Sequence, residues 1–391
     1  MRRKMFLKIL ITVVGSYVVL FFSKKSVIRN KILGRLRSYL TILEDRAIPE
    51  IGEFQFPDGY LKVSVETVLN SRCNSDSTNN QKYIHWGMFD NSKKLSDTQI
   101  EQIIEISKIN LFFNENTEII KNKNRLTIAT AASDNSPVAM IEAGMQQQAI
   151  CLACAALGIG MRFQNLGIAG KRIPNGKLGT TNIVIAPMKK SYNGSFWSKN
   201  KPAGWKAWCT GNLPEPSRDG LIPYLSVVSE LKSEGQSQQK ISMKTIGQLL
   251  WAAKGRTPHL YKSKPWGMTI PIWTDKIEIT SVFLFFKNRL SKYINWKNGH
   301  PTHSLEHNND VKISQFLSTL DEIGSIDECY LIFNRNDQYN RALWEIGYEL
   351  FNTIVEASAL KIPFKITFLS KEQQQNLAIE QTGTPEVVIA L

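Results

Sequence analysis

A chain of 391 residues with 42% hydrophobic and 10% aromatic residues can bury a sizeable core, and its length fits two domains or one large one. The formal charge is +14, but +9 of it falls within residues 1–46, where eleven Lys and Arg face only Glu44 and Asp45. So local a charge argues against a nucleic-acid groove on the body, and five cysteines without framework spacing argue against a disulfide-stapled fold.

Residues 5–22, "MFLKILITVVGSYVVLFF", form a largely apolar run with one charged residue, Lys8, inside it. That length is near the lower limit for a membrane-spanning helix. No small-residue cleavage site follows, so the run reads as an uncleaved anchor and not as a signal peptide. Arg2, Arg3 and Lys4 precede it, and Lys24, Lys25, Arg29, Lys31, Arg35 and Arg37 follow it. The heavier positive side is C-terminal, which places the body on the cytoplasmic side of a membrane; the alternative is a cytoplasmic chain. Residues 24–43 mix basic and apolar positions at helical spacing and suit an anionic lipid surface, or an ordinary helix packed on the body.

The body begins with "SVETVLNSRCNS" (64–75) and an amphipathic helix over 95–108, N-capped by Ser96. A strand is expected at 125–131. A long apolar helix follows in "IEAGMQQQAICLACAALGIG" (141–160), then a β-rich run, "GTTNIVIA" (179–186). Residues 191–239 read as a connector: first a structured loop rich in Gly, Pro, Trp and Lys, then a short helix and a polar linker. Beyond it come a helix over 242–255, strands at 281–286 and 329–333, and a second long helix containing "EIGYELFNTIVEASALKIP". The run "GTPEVVIA" (383–390) closes the chain.

These elements repeat. Placing Glu142 over Glu345 aligns the long helices at an offset of 203, with Gly144 over Gly347, Ala156 over Ala359 and Ile159 over Ile362. The β-rich runs align at 204. Two ordered matches at nearly constant offset imply a structural duplication. The expected organisation is an N-terminal segment 1–54, a first half 55–190, the connector 191–239 and a second half 240–391. Helices and strands interleave without a βαβ period, so the fold class is α+β.

The same residues resemble the nitroreductase superfamily, an FMN-dependent α+β fold. "SVETVLNSRCNS" followed by "LSDTQIEQII" is similar to the start of such proteins, and "EAGMQQQAICLACAALGIG" to their long central helix. "QLLWAAKGRT" and "SVFLFFKNRLSKYINW" resemble the branch that oxidises azolines to azoles. Members are homodimers with FMN at the subunit interface, so the resemblance implies two nitroreductase-like halves forming an intramolecular pseudo-dimer. It also implies FMN as cofactor, NAD(P)H as co-substrate and a small-molecule acceptor.

Carried over residue by residue, Arg72 with Ser71 falls at the phosphate-binding position, where a guanidinium fork suits a phosphate dianion. A solvated surface arginine is the other reading. Gln148 falls at the glutamine of a Q-N pair whose asparagine is replaced by Ala149; in the second half Phe351 replaces the glutamine and Asn352 keeps the asparagine. Gln148 has an equally ordinary reading as a capping or interdomain glutamine. Gly158 and Gly160 match a glycine exit beside the flavin, where the second half has Lys361 and Pro363. Pro258, Lys262 and Lys264 in "PHLYKSKPW" match a flavin-contacting loop, with His259 at a serine position; "TIPIW" (269–273) competes for that role. Arg256 is a second candidate phosphate contact.

Other constellations read as structure. Cys151 and Cys154 lie mid-helix among Ala and Leu, unlike a redox dithiol at an exposed helix start. His300, His303 and His307 in "GHPTHSLEH" (299–307) have metal-ligating side chains, but the flanking Gly, Asn and Asp imply a solvated polar loop, and no metal site is assigned. The functional expectation is an FMN-dependent oxidoreductase. The alternative is a degenerate, non-catalytic flavin- or ligand-binding homologue that acts as a membrane-attached partner.

Overall fold

The computed structural model describes residues 63–71, 89–90, 92–107, 117–122, 125–164, 177–187, 211–217, 220–229, 231, 241–257, 267–271, 278–298, 300–307, 313–324, 329–337, 340–377 and 383–391. The expected anchor at 5–22 and the basic segment at 24–43 lie outside these residues. Among the described residues no helix is long and apolar enough to cross a membrane.

The chain is a mixed α+β structure. Its first half contains helices α1 (Val65–Ser71) and α2 (Asp97–Ser107), strands β1 (Thr117–Asn122) and β2 (Arg125–Ala132), helix α3 (Pro137–Ala156), and strands β3 (Gly160–Gln164) and β4 (Leu178–Ala186). The strands form one antiparallel sheet in the order β1-β2-β4-β3. Ser96 caps α2 as expected: its hydroxyl accepts the Gln99 amide at 3.1 Å, and the Gln99 side chain accepts the Ser96 amide at 3.0 Å.

After helix α4 (Tyr224–Ser229), the second half adds α5 (Met243–Lys254), the short pair β5 (Arg256–Thr257) and β6 (Gly267–Met268), and strands β7 (Thr280–Phe286), β8 (Arg289–Lys297) and β9 (His300–His307). Helix α6 (Ile313–Ile323), β10 (Cys329–Arg335), α7 (Asn340–Ala359), β11 (Lys365–Phe368), α8 (Lys371–Asn376) and β12 (Thr384–Ala390) complete it. Its antiparallel sheet has the order β11-β12-β10-β7-β8-β9. The run β11-β12-β10-β7 repeats the order β3-β4-β2-β1 of the first sheet, so the second half is the same plan with β8, β9 and α6 inserted.

The long helices coincide to the residue: α3 and α7 each have twenty residues, and their bounds differ by 203 at both ends. Their C-termini close with the same Schellman pattern. Ile159 N–H donates to Cys154 O at 2.9 Å and Ile362 N–H to Ala357 O at 2.8 Å. The residue in the left-handed conformation is Gly158 (φ 64°) in one and Lys361 (φ 57°) in the other.

The two helices cross at aligned glycines. A Cβ on Gly144 would lie 2.7 Å from Trp344 Cα, and one on Gly347 would lie 2.8 Å from Gly144 Cα and 2.7 Å from Met145 N. Neither position has room for a side chain. The large core cluster runs through this crossing and joins residues of both halves, among them Met145, Leu152, Leu249, Trp344 and Phe351. A separate cluster around Ile128, Ile150, Cys151, Cys154 and Ile183 fills the first sheet, and one around Phe283, Phe316 and Ile332 lies beneath α6.

The polar loop expected at 299–307 is instead strand β9. Pro301 sits on an edge strand, where a missing N–H is tolerated. The open edge is covered by residues 211–213 of the connector. Leu213 N–H donates to His303 O at 3.2 Å, and the Asn212 amide both donates to Leu305 O (2.8 Å) and accepts Leu305 N–H (2.7 Å). The end of the connector also packs: Ser64 and Pro223 form a bridge, and Tyr224 N–H donates to Val63 O at 2.8 Å.

Candidate functional site

Helix α3 starts because Ser136 accepts the Ala139 amide at 3.3 Å and Pro137 occupies its first turn. One turn past Gly144, its three glutamines enter the space between the halves. All three are buried.

Gln148 donates to Asn352 Oδ1 at 2.7 Å and to Thr269 O at 3.1 Å. Asn352 donates in turn to Ala252 O (3.0 Å) and Thr269 O (3.1 Å). The asparagine singled out in the second half therefore meets the glutamine singled out in the first. Both amide hydrogens of Gln148 are spent in this pair. Its Oε1 has no partner among the described residues.

Gln147 forms a second polar seam, which the sequence reading did not single out. Tyr348 donates its hydroxyl to Gln147 Oε1, and Gln147 Nε2 donates to Thr180 Oγ1 at 3.1 Å. Thr180 and Thr130 hydroxyls meet at 2.7 Å, and Thr130 donates to Thr181 O at 2.9 Å. The signal available in the sequence was the Gln-Gln-Gln run itself: a polar triplet in an apolar helix needs partners on neighbouring elements.

Charge is buried beside the first seam. Lys254 Nζ lies 2.8 Å from Glu349 Oε1 and donates to Thr280 O at 2.7 Å. Burial works against the Lys254 ammonium, but Glu349, with Glu278 and Glu345, holds its pKa above that of an ordinary lysine. Arg256 donates to Asn295 Oδ1 at 3.2 Å and stacks over Trp296, 4.8 Å from the ring centroid. Burial lowers its pKa to about 10.

Among the other expected site residues, Ser71 is the last residue of α1. Gly158 is the left-handed stop of α3, and Gly160 opens β3, paired with Ala186. The ten residues from Gln148 to Gly158 correspond to roughly 15 Å of helix rise, so the amide pair and the glycine exit are separate features. Arg72, Pro258, His259, Lys262 and Lys264 lie outside the described residues, as do Trp197, Trp205 and Trp208 of the connector.

These residues fit part of an FMN group. The unpartnered Gln148 Oε1 is an acceptor for a ring N–H. Arg256, the described candidate for a phosphate contact, is already engaged by Asn295 and Trp296. Cys151 and Cys154 do not form an exposed redox pair: both are fully buried, and burial pushes the Cys154 thiol well above its ordinary pKa. His303 is a buried core histidine, its Nδ1 2.9 Å from the Tyr293 hydroxyl. Among the described residues no group of His, Cys, Asp and Glu side chains forms a cluster of three suited to a metal.

No family model matches the chain, and no curated protein matches it. Three solved structures similar to it are proteins assigned as nitroreductases. One from Ralstonia eutropha is 17% identical with a TM-score of 0.33, over 46% of this chain and 86% of that one. One from Thermotoga maritima is 10% identical with a TM-score of 0.39, over 87% and 99% of the two chains. One from Anabaena variabilis is 9% identical with a TM-score of 0.45, over 68% of each.

Proposed function

We propose that the chain is a nitroreductase-like oxidoreductase that binds FMN and passes hydride from NAD(P)H to a small organic acceptor. The observation that carries this reading is the crossing of α3 and α7 at Gly144 and Gly347, with the Gln148–Asn352 pair buried beside it. It supports a pseudo-dimer in one chain, the interface at which the resemblance puts the cofactor. Bound FMN supplies the two-electron chemistry. Gln148 Oε1 would accept from the ring, and Arg72 with Ser71 would hold the phosphate; the loop carrying Pro258, Lys262 and Lys264 would cover the opposite side. Residues 5–22 would hold the body at the cytoplasmic face of a membrane.

The visible spectrum of the purified full chain tests the reading. Flavin absorbance, lost on Arg72→Ala, is the expected result. A colourless protein that gains no such absorbance with added FMN removes it, and retention of FMN by Arg72→Ala moves the phosphate site elsewhere. Carbonate washing of cell membranes tests the anchor: the chain should stay with the pellet.

A second reading, a non-catalytic ligand-binding partner, is favoured by one observation. Gln148 and Asn352 are fully buried; Gln148 spends its amide hydrogens on Asn352 Oδ1 and Thr269 O, and Asn352 spends its own on the carbonyls of Ala252 and Thr269. A yellow protein that oxidises no NAD(P)H in the presence of quinone or nitroarene acceptors would select it.

A further inference from the structure

The guanidinium of Arg256 is held by two consecutive residues of β8. Asn295 Oδ1 accepts from Arg256 Nη2 at 3.2 Å, and Asn295 Nδ2 donates to Lys254 O at 2.7 Å, which fixes the way the amide points. The guanidinium lies over the Trp296 ring, 4.8 Å from its centroid. Successive side chains of a regular strand point to opposite faces, so neighbours do not ordinarily serve one group. Here the register of β8 against β9 shifts between Ile294 and Trp296, and such an irregularity re-aims side chains. The clamp stands on the inserted hairpin β8–β9, which the first sheet lacks.

The clamp holds a charge that no acid neutralises. The lysines on the adjoining stretches of α5 and β8 each have a carboxylate: Lys254 meets Glu349 at 2.8 Å, Lys292 meets Glu278 at 2.7 Å and Lys297 meets Glu306 at 2.5 Å. No carboxylate of the described residues pairs with Arg256. Glu278, whose charge favours the Arg256 cation, is the acid that Lys292 already holds. Arg256 is half-buried, and its Nε is buried without a partner. A cation drawn partly out of water favours a counter-charge. Trp296 is 38% exposed, which leaves apolar ring surface uncovered beside that cation.

One positive charge is balanced by one negative charge. A carboxylate supplies it and can take the Nη hydrogens that Asn295 leaves. A phosphate dianion would carry a charge over, and the lysines beside the site are already paired. A planar ring attached to the carboxylate would cover the exposed part of Trp296. We infer that Arg256 and Trp296 form a binding site for an aromatic carboxylate, with Asn295 as the residue that positions the guanidinium. The inference is independent of the flavin reading.

The test is a benzoate titration of the full chain at low salt, with its nine tryptophans isotope-labelled and read by their indole NMR signals. The Trp296 signal is the one missing from Trp296→Phe. It should shift saturably with benzoate. Neutral benzamide should bind at least about tenfold more weakly, because it lacks the charge that strengthens the hydrogen bond. Inorganic phosphate should not displace benzoate. Arg256→Met should abolish the benzoate shift. Should that variant not fold, Asn295→Asp supplies a carboxylate within the clamp and should abolish the shift by neutralising the cation in place. A Trp296 signal that benzoate leaves unmoved, or that benzamide or phosphate shifts at the same concentrations, overturns the inference. Benzoate binding that survives either Arg256→Met or Asn295→Asp overturns it too.

Discussion

Gly347 packs on Gly144 so closely that a Cβ on the first would lie 2.8 Å from the Cα of the second. The neighbours there are backbone atoms of Ile141 and Met145, which cannot rotate away. Gly347→Ala should therefore separate the halves and destabilise the chain by at least about 1–3 kcal/mol, the ordinary cost of overpacking. Denaturant unfolding measures it. An unchanged midpoint would mean that the helices do not cross there.

Lys254 and Glu349 are a buried ion pair with a shared hydroxyl, Thr280. Lys254→Met strands a carboxylate in the core and should cost about 3–5 kcal/mol. The double change Lys254→Met with Glu349→Leu should recover most of that loss. Thermal melts of the three variants decide whether the single loss is one of uncompensated charge.

Asn352→Leu removes the partner of Gln148 and two bonds to backbone carbonyls. Leaving the Gln148 amide and the Ala252 carbonyl short of partners should cost roughly 1–3 kcal/mol for each group left unsatisfied. If the flavin reading holds, the same variant should also shift the flavin absorbance, because Gln148 is then free to turn.

Cys151, Cys154 and Cys329 are fully buried. Burial pushes the Cys154 thiol well above the ordinary value of 9.0, with Cys151 adding to the shift, so Cys154 stays a thiol near neutral pH. Alkylating reagents should leave these three cysteines unlabelled at pH 8 and modify them once the chain is unfolded. Mass spectrometry of digested peptides reads the outcome, and rapid labelling of Cys151 under native conditions would contradict the packing.

Asn212 closes the exposed edge of β9 with its side-chain amide. Asn212→Ala should cost about 1 kcal/mol and speed hydrogen exchange at the Leu305 amide. Exchange mass spectrometry of the peptide covering 300–307 provides the check.

The match between the two long helices was legible because it lay in packing positions. A glycine at a helix crossing and an apolar pair at a helix exit leave a residue pattern, and Gly144 with Gly347 and Ile159 with Ile362 show it. The capped helices were legible for a similar reason, since Ser96 and Ser242 announce their starts locally. Strand β9 was not. Its histidines and Pro301 look like loop chemistry, and only the cover supplied by residues 211–213, some ninety positions away, makes a strand of them. The β7–β8 hairpin was hidden too: both of its turn residues, Lys287 (φ 52°) and Asn288 (φ 57°), adopt positive φ without a glycine to mark them. The partners of the glutamines were beyond reach because periodicity says which residues are buried and not what they touch.

The shared Schellman ending of α3 and α7 has a further consequence. In a symmetric dimer every substitution appears twice, so a lysine forced into a left-handed turn would burden both copies of the site. Within one polypeptide the two endings are inherited separately. Gly158 keeps the unstrained form while Lys361 accepts the strained one, and Gln146 stays neutral while Glu349, its counterpart, takes up a buried charge. The arrangement lets corresponding positions of the two halves change independently.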